Sequence, residues 1–268
     1  ALPRVTGLKG GFRTNVVPPE AECVVSGLTP AQVEEAAGAV AAATHTPFTV
    51  TAEGESVRIH CAGQNAHAAS PDDGRNAISG LLELLARLPL AECESTQALR
   101  SMHTLFPFGD TRGKALGIAQ EDAESGPLTL NLALMELDGE GFSAKFDVRY
   151  PVSSNEDNCK KACEESLARH GIAVTADPDM TSVHCVPADS KLVTTLMESY
   201  QTFSGDTQSK PLAIGGGTYV HDIPGGVAFG CVFPGFDPKM HAPDEQANVE
   251  QLLCACKIFT HAIVELCK

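Results

Sequence analysis

The chain has 268 residues, 43% hydrophobic and 20% charged, with a net charge of −15; that length holds two ordinary domains or one large one. An acidic surface repels phosphate backbones, and with no Trp and 5% aromatic residues there is little on which bases could stack, so no nucleic-acid partner is expected. No apolar run approaches the ~18–20 residues that span a bilayer, and no basic-then-apolar opening marks a signal peptide, so no membrane partner is expected either.

In chain order, NVVPPEAECVVSGL alternates apolar and polar residues and predicts a strand kinked at Pro18–Pro19. Thr29, followed by Pro30, starts a helix through TPAQVEEAAGAVAAATH. FTVTAE and ESVRIHCAG predict a hairpin turning at Glu53–Gly54–Glu55. The loop QNAHAASPDDG leads to a helix in RNAISGLLELLARL, and residues 91–126 read as a helix followed by a connecting segment. LTLNLALMEL and FSAKFDVRYP predict strands around Asp138–Gly141, and residues 155–170 a helix ended by Gly171. IAVTADP and TSVHCVPA read as short strands, and SKLVTTLMESYQTFSG as a helix. After GGGTYVHDIPGG, VAFGCVF reads as a buried strand, and a last helix begins at NVEQLL. Apolar positions nearly encircle that helix, so it needs something substantial to pack on.

The pattern predicts an α+β fold, antiparallel sheets backed by helices, with pseudo-repeats at about 15–90 and 127–205. The ten cysteines are scattered without CxxC pairs, which points to reduced thiols in a cytoplasmic protein and away from a structural zinc knuckle. The chain begins at Ala1; initiator removal and excision from a longer polypeptide both explain that residue.

Several residues can carry chemistry, each with a bland alternative. His241, in KMHAPDE, is presented as metal-ligand histidines often are, or is an exposed loop residue bonded to Asp244 or Glu245. His67, flanked by small residues, can donate to developing negative charge, or merely sits in a helix-entry loop. Arg149, at a strand end, can clamp a carboxylate bidentately or pair with Asp147. Gly215, Gly216 and Gly217 before Thr218 can aim backbone N–H groups at an anion, or form a tight turn. His221 beside Asp222 makes only a weak acid–base pair, and no GxSxG is present.

Taken together, GQNAHAASPDDGRNAISGLLELL, FDVRYP, AIGGGTYVHDIPGGVAFGCVFPG and MHAPDE resemble, in this order, the two-zinc metallopeptidases of the PepV dipeptidase type, relatives of carnosinase, aminoacylase and desuccinylase. The resemblance covers nearly the whole chain. It implies a doubled, ferredoxin-like lid or dimerisation domain over residues 1–210 and a C-terminal α/β portion of the zinc catalytic domain over 211–268. It implies that His241 is a terminal zinc ligand, that His67 stabilises the oxyanion, and that Arg149 holds the substrate carboxylate. Asn15 then lies near the substrate, and Gly215–Gly217 with Thr218 form a carboxylate-binding loop. His221 departs from the pattern, since many relatives carry arginine there.

In such enzymes the remaining ligands and the general-base Glu lie upstream of the lid, in an H-x-D motif and acidic residues. No H-x-D occurs in this chain, and Glu34–Glu35 and Glu164–Glu165 fall within predicted helices. The expectation is therefore part of a zinc-dependent dipeptidase, inactive by itself, acting on a dipeptide or on an N-acyl amino acid. A stand-alone lid-like binding or oligomerisation module is the alternative. A homodimer, or association through the exposed C-terminal segment, follows from either.

Overall fold

Alternating residues explain how the first strands pair. In β1 (Arg4–Gly10) Val5, Leu8 and Gly10 are buried, and in antiparallel β2 (Glu20–Ser26) Ala21, Cys23 and Val25 are buried beside them. The computed structural model describes residues 2–175, 180–239 and 244–268 and divides into two units, Ala1–Met180 and Thr181–Lys268.

In the first unit α1 (Pro30–Thr44) starts where the sequence puts it. The Thr29 side chain accepts from the Gln32 N–H, Gln32 reaches back to the Thr29 N–H, and Pro30 occupies the first turn. β3 (Phe48–Glu53) and β4 (Ser56–Ala62) form the expected hairpin. Asn76 caps α2 (Ala77–Arg87), whose Ile78, Leu81, Leu82 and Leu85 are buried, and α3 (Glu94–Leu105) follows. Two short strands, β5 (Glu121–Asp122) and β6 (Gly126–Pro127), lead into β7 (Thr129–Leu137) and β8 (Phe142–Arg149). A π-helical turn, Glu156–Lys161, opens α4 (Ala162–Arg169), and Gly171 takes the left-handed φ of 73° that ends it.

The long strands form one antiparallel sheet in the order β3-β4-β2-β1-β7-β8. Inward side chains of the sheet share one core with Val33 and Val40 of α1, Leu81 and Leu84 of α2, Leu99 and Met102 of α3, and Cys163 and Leu167 of α4. The unit is thus a two-layer sandwich with its helices on one face and Glu22, Glu53 and Arg58 paired on the other. The α+β class stands. The strands of the two pseudo-repeats do not build two sheets, however: β7 pairs with the free edge of β1 and joins both into one.

Three expected strands are corrected. Residues 172–175 and 180–187 have no strand pairing, and 176–179 lie outside the described residues. VAFGCVF, 227–233, is likewise irregular. The second unit is built on α5 (Lys191–Ser204) packed against α6 (Val249–Leu266). Phe229 and Phe233 turn onto these helices, with ring centroids 5.4 Å from Phe259 and 5.7 Å from Tyr200, so these two rings pack on aromatic partners while Val232 stays exposed. The two compact units adjoin in sequence at Met180–Thr181. In contrast, β1 (RVTGLKG) is a strand the sequence reading left out; its two glycines weaken the strand signal.

Candidate functional site

The end of β7 gathers the first unit's candidate residues. Leu130 and Leu132 point into the helix-covered core, so Thr129 and Asn131 point the other way. Their register partners on β8 are Arg149 and Asp147. Cross-strand partners share a face, so these four side chains form one patch.

Two loops reach this patch, residues 11–19 between β1 and β2 and residues 63–70 after β4. They are zipped together: the Val17 N–H donates to the Ala66 carbonyl at 2.9 Å and the Ala68 N–H to the Asn15 carbonyl at 3.0 Å, bracketing an antiparallel bridge between Val16 and His67. The Thr129 hydroxyl donates to the Ala68 carbonyl at 3.4 Å, and the Asn131 amide to the Val16 carbonyl at 2.9 Å. Asn15, His67 and Arg149, more than a hundred residues apart in sequence at the extremes, therefore meet at one end of the sheet.

Gly11 makes the first loop's path. Its φ is 75°, and a Cβ there would lie 1.8 Å from the Ala133 carbonyl oxygen. Only glycine lets the backbone lie this close to β7. Behind the patch, a pocket of about 290 Å³ is lined by Val17, Asn76, Phe106, Phe108 and Asn131 among others.

Each side chain is held differently. His67 is exposed, and its Nδ1 accepts from the Ala69 N–H at 3.2 Å. Asn15 is exposed. Arg149 donates from Nε to Asp147 Oδ1 at 3.0 Å and from Nη2 to Oδ2 at 3.3 Å, with the two side chains only 17% and 19% exposed. The pairing with Asp147 is thus realised; it uses two of the guanidinium's five N–H donors and fixes the fork.

In the second unit, Thr218 caps a four-residue 3-10 turn, Tyr219–Asp222, with its side chain accepting from the Val220 N–H. Gly216 and Gly217 have no left-handed φ, and a Cβ at Gly217 would meet nothing within 4 Å, so local packing does not demand glycine at either position. His221 is drawn to Thr218, whose N–H donates to its Nδ1 at 3.4 Å, and its ring lies 5.5 Å from that of His184. His221 and Asp222 show no mutual bond among the described contacts.

His241 lies outside the described residues. Among the described residues no three His, Cys, Asp or Glu side chains gather to hold a metal ion. Glu34 and Glu35 are exposed on α1, and Glu165 is exposed on α4, as solvated faces. The donor set described here does not fit a zinc pair. The ten thiols are free, and burial pushes Cys61 and Cys163 up to about 12. No helix among the described residues is long and apolar enough to cross a membrane.

Residues 55–136, from β4 into β7, match the peptidase dimerisation domain of the M20 type. That match spans 82 of the chain's 268 residues. It is 31% identical over 265 residues to the Bacillus subtilis protein named "Putative dipeptidase YtjP", covering 98% of this chain and 56% of that protein. It is 28% identical over 263 residues to the Beta-Ala-Xaa dipeptidase of Lactobacillus delbrueckii subsp. lactis, covering 97% of this chain and 54% of that one. The chain thus spans about half the length of the curated relatives it matches.

Proposed function

We propose that this chain is the substrate-holding part of a dipeptidase whose remaining metal ligands and general base lie in the portion of its relatives that the chain does not span. What supports the reading most is the convergence of Asn15, His67 and Arg149 on one patch. The three positions are spread over the chain, and nothing in sheet formation alone requires them to meet.

In this reading the Nε2–H of His67 donates to the carbonyl oxygen of the scissile bond as negative charge develops there. Asn15, on the partner loop, binds the same end of the dipeptide. Arg149, aimed by Asp147, holds the free carboxylate. Gly215–Gly217 with Thr218 are the proposed carboxylate loop of the second unit, and His241 is the chain's proposed zinc ligand. Zinc, if bound in the complete enzyme, would supply activated water; the described residues do not assemble that site. A cytoplasmic location fits the free thiols.

The test is substrate selectivity in the polypeptide that carries the metal ligands. Arg149→Ala should raise KM for a dipeptide about 100-fold yet leave the corresponding dipeptide amide, which lacks the carboxylate, nearly unaffected. His67→Ala should lower kcat about 100- to 1,000-fold with KM little changed. Equal loss on both substrates in Arg149→Ala would sink the assignment. The second reading, a binding or dimerisation module without catalysis, rests on the match to a dimerisation domain; dimerisation with no hydrolysis in the longer polypeptide would favour it.

A further inference from the structure

A pair of amides, one buried and one half-buried, has no part in the apolar core and none in the roles above. Asn131 is 2% exposed within an otherwise apolar stretch of β7, between Leu130 and Leu132. A buried amide is costly unless its donors and acceptor are used. Here they are used in one direction. Asn131 Nδ2 donates to the Val16 carbonyl at 2.9 Å, and Asn131 Oδ1 accepts from Asn76 Nδ2 at 3.2 Å. Asn76 Nδ2 also donates to the Leu132 carbonyl at 2.8 Å, while Asn76 Oδ1 caps α2 by accepting from the Ser79 N–H at 3.1 Å. The chain of bonds runs from the first turn of α2, through β7, to Val16, which bridges His67.

We propose that the Asn76–Asn131 amide pair is a positioning device: it fixes the Asn15 and His67 loops against α2 and the β7–β8 end, and thereby sets where His67 stands relative to Arg149. Asn131 is a positioning residue, since it acts through Val16. Asp147, its register partner on β8, does the same for Arg149. An apolar residue at 131 would fill the space and pair the strand equally well, but it could neither accept from Asn76 nor donate to Val16, as this amide does. The functional meaning of the device rests on the dipeptidase reading, but its existence does not.

Two variants test it on the chain as it stands. Asn131→Asp keeps shape and acceptor but removes the donor to Val16. Asn76→Ser keeps a helix cap for Ser79 but removes both amide donors, and it serves where a buried carboxylate at 131 prevents folding. Amide exchange at Val17 and Ala68 reports the loop zipper, and amides of β2 and β4 report the fold. The expected result is a loss of protection of about tenfold at Val17 and Ala68, with loss of the magnetic contacts between Val16 and His67 and no change in β2 and β4. Folded variants with unchanged Val17 and Ala68 would overturn the proposal. So would an equal fall in β2 and β4, which would make the pair a merely structural one. A local loss combined with no dipeptide hydrolysis by the longer polypeptide would uphold the positioning and sink the dipeptidase reading alone.

Discussion

At the scale of single residues, the site depends on a few positions where one side chain, or none, fits. Gly11 is the sharpest. Alanine there must take a left-handed φ and place its Cβ on the Ala133 carbonyl. We expect Gly11→Ala to cost about 2–4 kcal/mol of stability in denaturant unfolding, or to displace residues 11–16 from β7. A stability loss below 0.5 kcal/mol, by the ~0.5 kcal/mol typical of surface changes, would show that the loop does not need this close approach. His67 and Arg149 were legible as candidates because histidine among small residues and arginine at a strand end are recognisable presentations. Asn131 was not singled out, although the signal was there: it is a lone amide in LTLNLALMEL, and a polar residue inside a buried strand asks for partners. Which partners it finds is a long-range fact, Val16 being 115 positions away.

At the scale of elements, local chemistry made most of the first unit readable. Thr29–Pro30 marked the start of α1, Gly54 the first hairpin, and Asp138–Gly141 the second. The misreadings share one cause. VAFGCVF and TSVHCVPA carry the composition of strands, but a strand exists only where a neighbour accepts its hydrogen bonds, and composition does not say whether one is there. The β5–β6 turn is held instead by a carboxylate. Asp122 Oδ1 accepts from the Ser125 N–H at 2.7 Å and its hydroxyl at 2.8 Å, and Oδ2 accepts from the Ser153 N–H at 3.0 Å. These donors, the Ser125 N–H foremost, hold its pKa well below the ordinary 3.8. Because the folded value is depressed, the stabilisation is full above the ordinary value and is lost as the pH falls below it toward the folded one. Protection of the Ser125 and Ser153 amides should therefore persist through pH 3.8 and decline only in stronger acid, while in Asp122→Asn it should be reduced at every pH. Loss of protection already at the ordinary carboxylate value would contradict these bonds.

At the scale of the whole molecule, the two units differ in how well they cover themselves. The first buries its apolar residues in one core. In the second, α6 uses Ala255, Ile258 and Ala262 as its buried face, and leaves Val249, Leu252, Leu253, Ile263 and Val264 exposed. Those five recur at helical spacing on a separate stripe, as expected of a helix whose apolar positions nearly encircle it. Leu253→Glu combined with Ile263→Glu should lower self-association of the chain in sedimentation experiments and leave the unfolding midpoint almost unchanged, since both side chains are exposed. A large fall in stability would show that the stripe is already covered.

The central proposal is that this chain supplies substrate-holding residues to a dipeptidase, while its described residues assemble no complete metal site. Zinc-supplemented dipeptide hydrolysis, measured side by side for residues 1–268 and for the whole reading frame that contains them, tests it most directly. The account predicts turnover by the longer polypeptide, abolished to within about 1% in His67→Ala, and none by residues 1–268. Hydrolysis by residues 1–268 at the same rate, or turnover by the longer polypeptide that ignores His67, would contradict it.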